Sequence, residues 1–453
     1  METITLDRAG AERFGLDVEG LRRGLYTDAY FLNVRRVLET AAREGLTYAG
    51  LRPGFDARGT DLSRVAVGDI IADMQVFARR APFCIAAGVE VALAILALAT
   101  GESDADGRFV ETADRLEVRA VPDGTRLAPW QPALRIMGRY RDYGILETTI
   151  LGVLTRMSLV ATNTYRFLES AGGRPLFFFP ARFDVYGTQA FDGRAYKIGV
   201  EAYNRDHAAN APVLISTDAQ GQFFGGRGAG TMSHSYLVCF LKDTAEATLH
   251  FARVLPPEVR RIALVDVNND CVGDALATAR AMFGRFKELL IEGREDEARK
   301  YVLYGVRADT PGEQRDVSVA PLGDEELDCG VCARLVWQLR EALDRLAEDP
   351  NIEDSWREQA REYFRNVKIV VSGGFTAERA ARFTRLGVPA DIYGVGSWFF
   401  RGGHNDYTAD LVRVQIDGAG RDMAKTGRRP MENPDLREVR FEGFGGNASP
   451  STK

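Results

Sequence analysis

VKIVVSGGF (residues 367–375) and ADIYGVGSWFF (residues 390–400) decide the fold. Each is a short, β-branched apolar run that stops in glycine, the first at Gly373-Gly374 and the second at Gly394 and Gly396. A run without polar alternation suits a strand covered on both faces, so each reads as a buried parallel strand. Glycine at the strand end lets backbone N–H groups come close to a ligand, because no Cβ holds it away. The short stretch between the two runs reads as helix. Two successive strand-to-glycine turns late in a βα series are where a barrel holds a phosphate, and the coupled pair points to a ligand more strongly than one tight turn would.

Working outward, the same rhythm extends upstream. Apolar runs recur in RPLFFFPARF (174–183), APVLISTD (211–218), RRIALVDV (260–267) and YVLYGVRAD (301–309), with helical patterns such as GDALATARAMFGRFKELL (273–290) and ARLVWQLREALDRLAE (333–348) between them. Strands alternating with helices predict a parallel sheet. No signal of a strand-order reversal is visible, which favours a βα barrel, complete or incomplete, over an open sheet.

Residues 1–150 read differently. LRPGFDARGT (51–60) suggests a loop, and CIAAGVEVALAILALAT (84–100) a buried helix that carries Glu90 and is short for a membrane span. RFVETADRLEVRAVPDGTRLAPWQPALRIMG (108–138) alternates, and Pro122-Asp123-Gly124 predicts a turn between antiparallel strands. GILETTILGVLTRMSLVATNTYRFLES (144–170) predicts one or two helices. Near the C-terminus, Leu411-Val412-Arg413-Val414 followed by Asp417-Gly418 predicts a hairpin that rejoins the first domain. The expected organisation is α/β: an α+β domain over 1–150, a barrel-like catalytic domain over 151–400, a segment over 401–440 that returns to the first domain, and a flexible tail over 441–453.

A chain of 453 residues with 45% hydrophobic and 27% charged residues is an ordinary globular composition. The net charge of −6 argues against nucleic acid as the main partner. METITLDRAG has no apolar signal-peptide core, and five cysteines suggest a reducing, cytoplasmic setting with no membrane. Cys329 and Cys332 form a lone CxxC with neither a second pair nor a nearby histidine, and read as structural, with a metal or redox role as the lesser alternative.

The strand ends carry the chemistry. Phe179 and Arg182 close the first run, Ser216, Thr217 and Asp218 the second, Asp266 the third, Arg307 and Asp309 the fourth, then Ser372 and Gly373, then Gly394 and Gly396. In a barrel these ends converge on one face. Any one of these residues could be a cap or turn former, but the set predicts a site. Glycine turns offer N–H groups to a phosphate, and arginines clamp a second anion. Asp266 and Asp309 can accept from sugar hydroxyls, stabilise positive charge on a sugar ring, or hold Mg²⁺ through water. Together they describe glycosyl transfer from a phosphorylated sugar. His234, in GGRGAGTMSHSYLVCF (225–240), follows a glycine-rich loop at an expected helix start and can accept a phosphoryl group.

From TDAY (27–30) through GTMSHS (230–235), GVRAD (305–309), VSGGF (371–375), YGVGS (393–397) and AKTGRRP (424–430), with Glu147 and Ala161-Thr162 between, the chain resembles the nicotinate phosphoribosyltransferases, a group that includes nicotinamide and quinolinate phosphoribosyltransferases. The resemblance implies synthesis of nicotinate mononucleotide from nicotinate and 5-phosphoribosyl 1-pyrophosphate, with Mg²⁺, and with ATP coupled through a phosphohistidine at His234. It implies a homodimer with a shared site. Tyr30, reaching in from a partner subunit, and Phe179 would sandwich the pyridine ring. Arg182 and Arg307 would hold the base carboxylate or the pyrophosphate, Asp309 the ribose, and Ser372, Gly373, Gly374, Gly394, Gly396 and Ser397 the 5-phosphate. Two positions depart from the pattern. Thr310-Pro311-Gly312 stands where Ser-Gly is usual after the Asp, and the acidic Asp218 suits an amide base better than a carboxylate. Nicotinamide is therefore the alternative base, and a non-catalytic phosphate-binding barrel the alternative from another class.

Overall fold

A computed structural model describes residues 3–50, 52–104, 106–402 and 406–444. Of the expected tail, residues 445–453 lie outside that range, and Arg437–Glu442 form a strand. The chain divides into two compact units. One comprises the residues up to Thr162, Lys197–Ala202 and those from Gly402 onward; the other comprises Asn163–Tyr196 and Tyr203–Arg401. The division falls at residue 162, within the helix Glu147–Ser170, rather than at 150.

The second unit is an incomplete βα barrel. Its six strands run parallel in the order Leu214–Ile215, Leu176–Phe178, Ile392–Val395, Lys368–Val371, Leu303–Ala308 and Arg261–Leu264. Followed around the sheet, chain order is preserved, with the first strand beside both the second and the last. The ring stays open between Leu214–Ile215 and Arg261–Leu264, the two edges of the sheet. Helices Gln189–His207, Thr244–Val254, Cys271–Ile291, Ala333–Arg345 and Ala377–Leu386 lie between successive strands. All six runs read as strands in the sequence are strands here.

Neighbouring side chains divide between the two faces, as a period of two requires. Phe177 packs with Ile262, Val370 and Ile392, with Phe179, Leu214 and Tyr304 against them. Phe178 turns the other way, stacking at 4.6 Å on Tyr196 of the first crossover helix and meeting Phe399 edge-on. The Tyr196 hydroxyl donates to Leu176 O at 2.6 Å, which satisfies the polar tip of a buried ring.

The first unit holds a seven-stranded sheet in the order Ile4–Asp7, Arg437–Glu442, Glu117–Ala120, Pro132–Arg139, Ile71–Ala78, Tyr407–Ile416 and Ala419–Asp422. The first pair is parallel and the rest antiparallel. The predicted turn is present: Thr125 N–H donates to Pro122 O, and Gly124 takes φ 88°. The predicted hairpin closes through Asp417 and Gly418 at φ 50° and 75°, the left-handed pair that a tight two-residue turn demands. Val89–Ala99 is a helix buried everywhere except Glu90, which pairs with Arg13. Among the described residues one helical run, Tyr140–Ser170, is long and apolar enough to cross a membrane, and half of that apolar stretch is buried inside the protein, as in a core helix.

Candidate active site

The C-terminal ends of the parallel strands surround a cavity of about 760 Å³ lined by residues of the second unit. Of the residues singled out in the sequence, Phe179, Arg182, Ser216, His234, Asp266, Arg307, Asp309, Ser372, Gly373, Gly374, Gly394, Gly396 and Ser397 line it. Thr217, Asp218 and Tyr30 do not.

Arg307 sits near the end of its strand and is nearly buried. Its Nη1 donates to Thr231 Oγ1 at 2.8 Å, its Nη2 to Asp309 Oδ2 at 3.3 Å, and its guanidinium lies 5.9 Å from the Phe179 ring centre. Burial pulls the Arg307 pKa down, against the attraction of Asp309 and Asp266. Its Nε has no hydrogen-bond partner among the described residues.

His234 is the first residue of a short helix, His234–Cys239, capped by the Ser233 hydroxyl, which accepts from Tyr236 N–H at 3.2 Å. Its ring is half exposed, and Nε2 meets Asp266 Oδ2 at 3.0 Å. The Asp266 side chain is only 5% exposed. Burial raises its pKa above the ordinary carboxylate range, with the hydrogen bond from His234 opposing that rise. The second oxygen, Oδ1, is buried and has no hydrogen-bond partner among the described residues. An orphaned carboxylate oxygen costs free energy unless a ligand or ion completes it.

The two glycine turns differ from the expectation in an informative way. Gly373 and Gly374 take φ 84° and 75°, which only glycine adopts freely. The Ser372 hydroxyl donates to Ala308 O at 3.2 Å, which anchors the start of the turn at the cavity wall. At the second turn, glycine makes room for aromatic rings as well as for a ligand. A Cβ at Gly394 would stand 2.9 Å from the Phe179 ring, and one at Gly396 2.3 Å from the Phe183 ring.

Two placements depart from the sequence reading. The Thr217 hydroxyl donates to Gln189 Oε1 at 2.8 Å. Asp218 accepts from Gly228 N–H at 2.8 Å and faces Arg227 at 3.6 Å, its side chain 68% exposed, so its charge is answered by its own loop. Tyr30, expected to act from a partner subunit, belongs to the first unit, on helix Ala29–Arg43, and is 57% exposed. Trp398 and Arg401 also line the cavity and were missed. WFFR directly after the glycine turn was the available signal. Asn163 holds that segment, its Nδ2 donating to Phe399 O at 2.8 Å and Arg401 O at 3.1 Å.

An incomplete βα barrel with glycine turns, an Arg-x-Asp strand end and a His–Asp pair at one mouth has known relatives. Residues 61–158 match the family model for the quinolinate phosphoribosyl transferase N-terminal domain. The chain is 27% identical over 213 residues to nicotinate phosphoribosyltransferase pncB2 of Mycobacterium tuberculosis, a match covering 46% of this chain and 43% of that protein. It is 24% identical over 364 residues to pncB1 of the same organism, covering 76% and 67%. The chain thus spans less than half the length of the first of these relatives. In fold it is similar to nicotinate-nucleotide pyrophosphorylase from Pyrococcus furiosus (TM-score 0.62, 24% identity, 91% of this chain and 80% of that one). It is also similar to human nicotinic acid phosphoribosyltransferase (TM-score 0.55, 17% identity, 87% and 76%). By family model, by sequence and by fold the chain is thus similar to the nicotinate and quinolinate phosphoribosyltransferase group.

Proposed function

We propose that this protein joins nicotinate to 5-phosphoribosyl 1-pyrophosphate, giving nicotinate mononucleotide and pyrophosphate. The observation that carries the reading is the single mouth where the Gly373-Gly374 and Gly396 turns, Arg307 with Asp309, and His234 with Asp266 meet. The glycine turns supply N–H donors for the 5-phosphate. Phe179 offers a ring face for the pyridine, with Tyr30 of a second copy as its counterpart in a homodimer. Arg182, Arg307 and Arg401 supply positive charge for the base carboxylate and the pyrophosphate. The pyridine nitrogen forms a bond to ribose C1 as the C1–oxygen bond to pyrophosphate breaks. Asp309 stands where positive charge grows on the ring, as a carboxylate does in glycoside hydrolysis.

Mg²⁺ fits this donor set. The unpartnered Asp266 Oδ1 and the Asp309 carboxylate are hard oxygen ligands, too few for an all-protein cage and suited to an ion that completes its shell with substrate phosphate and water. When bound, it would offset charge on the leaving pyrophosphate. ATP is proposed as a co-substrate. With Nε2–H donated to Asp266, Nδ1 of His234 carries the lone pair; it bonds to the γ-phosphorus as the bond to ADP breaks.

The test is incubation with labelled nicotinate, nicotinamide or quinolinate and the pyrophosphoryl sugar, with Mg²⁺, with and without ATP. Nucleotide formed from nicotinate, faster with ATP, is expected. No nucleotide from any base would end the proposal, and ATP-independent turnover would remove the phosphohistidine step alone.

A further inference from the structure

The glycine pair that suits Gly373-Gly374 to a close ligand also leaves their shared peptide without side chains of its own to hold it, since the Ser372 hydroxyl anchors only the start of the turn. Both residues are left-handed, and no Cβ fixes either peptide plane. Something outside the turn has to set its orientation. Arg379, in the first turn of helix Ala377–Leu386, is placed to do so. Its Nη1 donates to Gly373 O at 3.0 Å, and its Nη2 donates to Val331 O at 2.8 Å, between Cys329 and Cys332. The guanidinium lies 4.3 Å over the Phe375 ring. Among the described residues no carboxylate pairs with this half-buried cation, whose pKa burial pulls down.

A trans peptide is planar, so its C=O and N–H point in opposite directions. Holding Gly373 O against Arg379 turns the Gly374 N–H away from Arg379, and Gly374 is a cavity-lining residue. The other end of the clamp is equally constrained. Gly330 takes φ 63° and donates to Gln314 O at 2.8 Å; a Cβ there would lie 3.1 Å from Gly312 Cα and 3.5 Å from Arg379 Nη2. The Cys329–Cys332 loop is therefore seated on the segment that follows Asp309. The lone CxxC, which the proposed reaction leaves unused, gains a role as the fixed point behind the turn.

We infer that Arg379 is a positioning residue for anion binding, tying the Gly373 carbonyl to the Cys329–Cys332 loop so that the loop sets the aim of the Gly374 N–H. This rests on reading the glycine turns as the phosphate site. Inorganic phosphate is the probe, with the full chain and the variants R379Q and R379K. Lysine keeps the charge but cannot reach two carbonyls as a planar fork does. Both variants should bind phosphate roughly tenfold more weakly, the scale of one charge-assisted hydrogen bond. The KM for the pyrophosphoryl sugar should rise likewise, with kcat and the KM for the base within about twofold of wild type.

Hydrogen exchange on the wild-type protein supplies a readout that needs no variant. Phosphate should slow amide exchange in residues 329–334, which lie outside the cavity lining, as well as in 372–376. Unchanged phosphate affinity in a folded variant overturns the inference, as does unaltered exchange in 329–334 while 372–376 are protected. If wild type does not bind phosphate at all, the phosphate reading of the site falls first and the inference with it.

Discussion

In the second unit six strands follow one another around a ring, each reached from the last through a helical crossover. In the first unit the sheet draws on chain from residue 4 to residue 442, and its outer pair, Ile4–Asp7 with Arg437–Glu442, joins the two ends of the sequence. The charges follow the same division. In the first unit Arg139 and Arg141 are enclosed by Asp69, Glu102 and Asp142, each guanidinium meeting at least two carboxylates. At the barrel mouth, among the described residues, Arg307 pairs with Asp309 alone at 3.3 Å, with its Nε and Asp266 Oδ1 left unpartnered. A closed ion network stabilises a fold. An open one with orphaned atoms is poised to receive a ligand.

The sharpest way to break that contrast is to remove one arginine from each. Arg307→Ala should lower kcat/KM by about 10²–10³, the scale for losing one preorganised charge donor. Arg139→Ala should lower the melting temperature and leave kcat/KM within about threefold. Equal kinetic losses in the two variants would show that the division between structural and reactive charges is wrong.

Two glycines sharpen the comparison at a smaller scale. A Cβ at Gly68 would stand 2.3 Å from Ala42 N and 2.5 Å from Leu38 O, both backbone atoms of a helix that cannot yield locally. Gly68→Ala should therefore cost about 1–3 kcal/mol by denaturant melts with little change in KM. At Gly394 the obstacle is the Phe179 ring at 2.9 Å, which can swing, so Gly394→Ala should raise the KM for the base more than it lowers stability. The reverse pattern would mean that Phe179 is only a core residue.

This comparison also explains what the sequence could reveal. The six barrel strands were legible because strands buried on both faces read as unbroken apolar runs, such as KIVV at Lys368–Val371. Their polar ends were legible because polar residues that stop such runs have no packing reason to recur. The parallel pairing of Ile4–Asp7 with Arg437–Glu442 was not legible, since each is a four- to six-residue strand with mixed burial and a partner more than four hundred residues away. The misplacement of Thr217 and Asp218 has a local cause. The strand there is only Leu214–Ile215, and the chain turns into the 3₁₀ segment Ala219–Gly221. Gln220 Oε1 accepts from Ser216 N–H, Ser216 Oγ and Thr217 N–H, which leaves Ser216 as the last residue of that end on the cavity.

Buried acids offer a test within the first unit. Burial, then the charges of Asp410 and Asp28, push Glu147 up to about 7. The fold thus favours the protonated form more than the unfolded chain does. That stabilisation is complete below the unfolded value near 4.5 and is lost as pH rises through about 7. Glu147→Gln should gain roughly 1–2 kcal/mol over wild type at pH 8 and almost nothing at pH 4.5, measured by urea unfolding. A gain independent of pH would place its origin outside the titration.

The smallest expected effect concerns base choice. An acidic residue after Ser216-Thr217 suggested electrostatic preference for an amide over a carboxylate. In the structure Asp218 donates nothing to the cavity: its carboxylate is taken by Gly228 N–H at 2.8 Å and by Arg227, and solvent reaches most of it. A charge so exposed and so paired is strongly screened, and its field at a base stacked on Phe179 is weak. Asp218→Asn should therefore leave the ratio of kcat/KM for nicotinate over nicotinamide within about twofold. Arg182→Gln and Arg401→Gln, which remove cations from the cavity lining, should each shift that ratio toward the neutral base. If Asp218→Asn moves the ratio and neither arginine variant does, base selection belongs to the loop after Leu214–Ile215, and the loop has to turn its carboxylate inward when substrate binds.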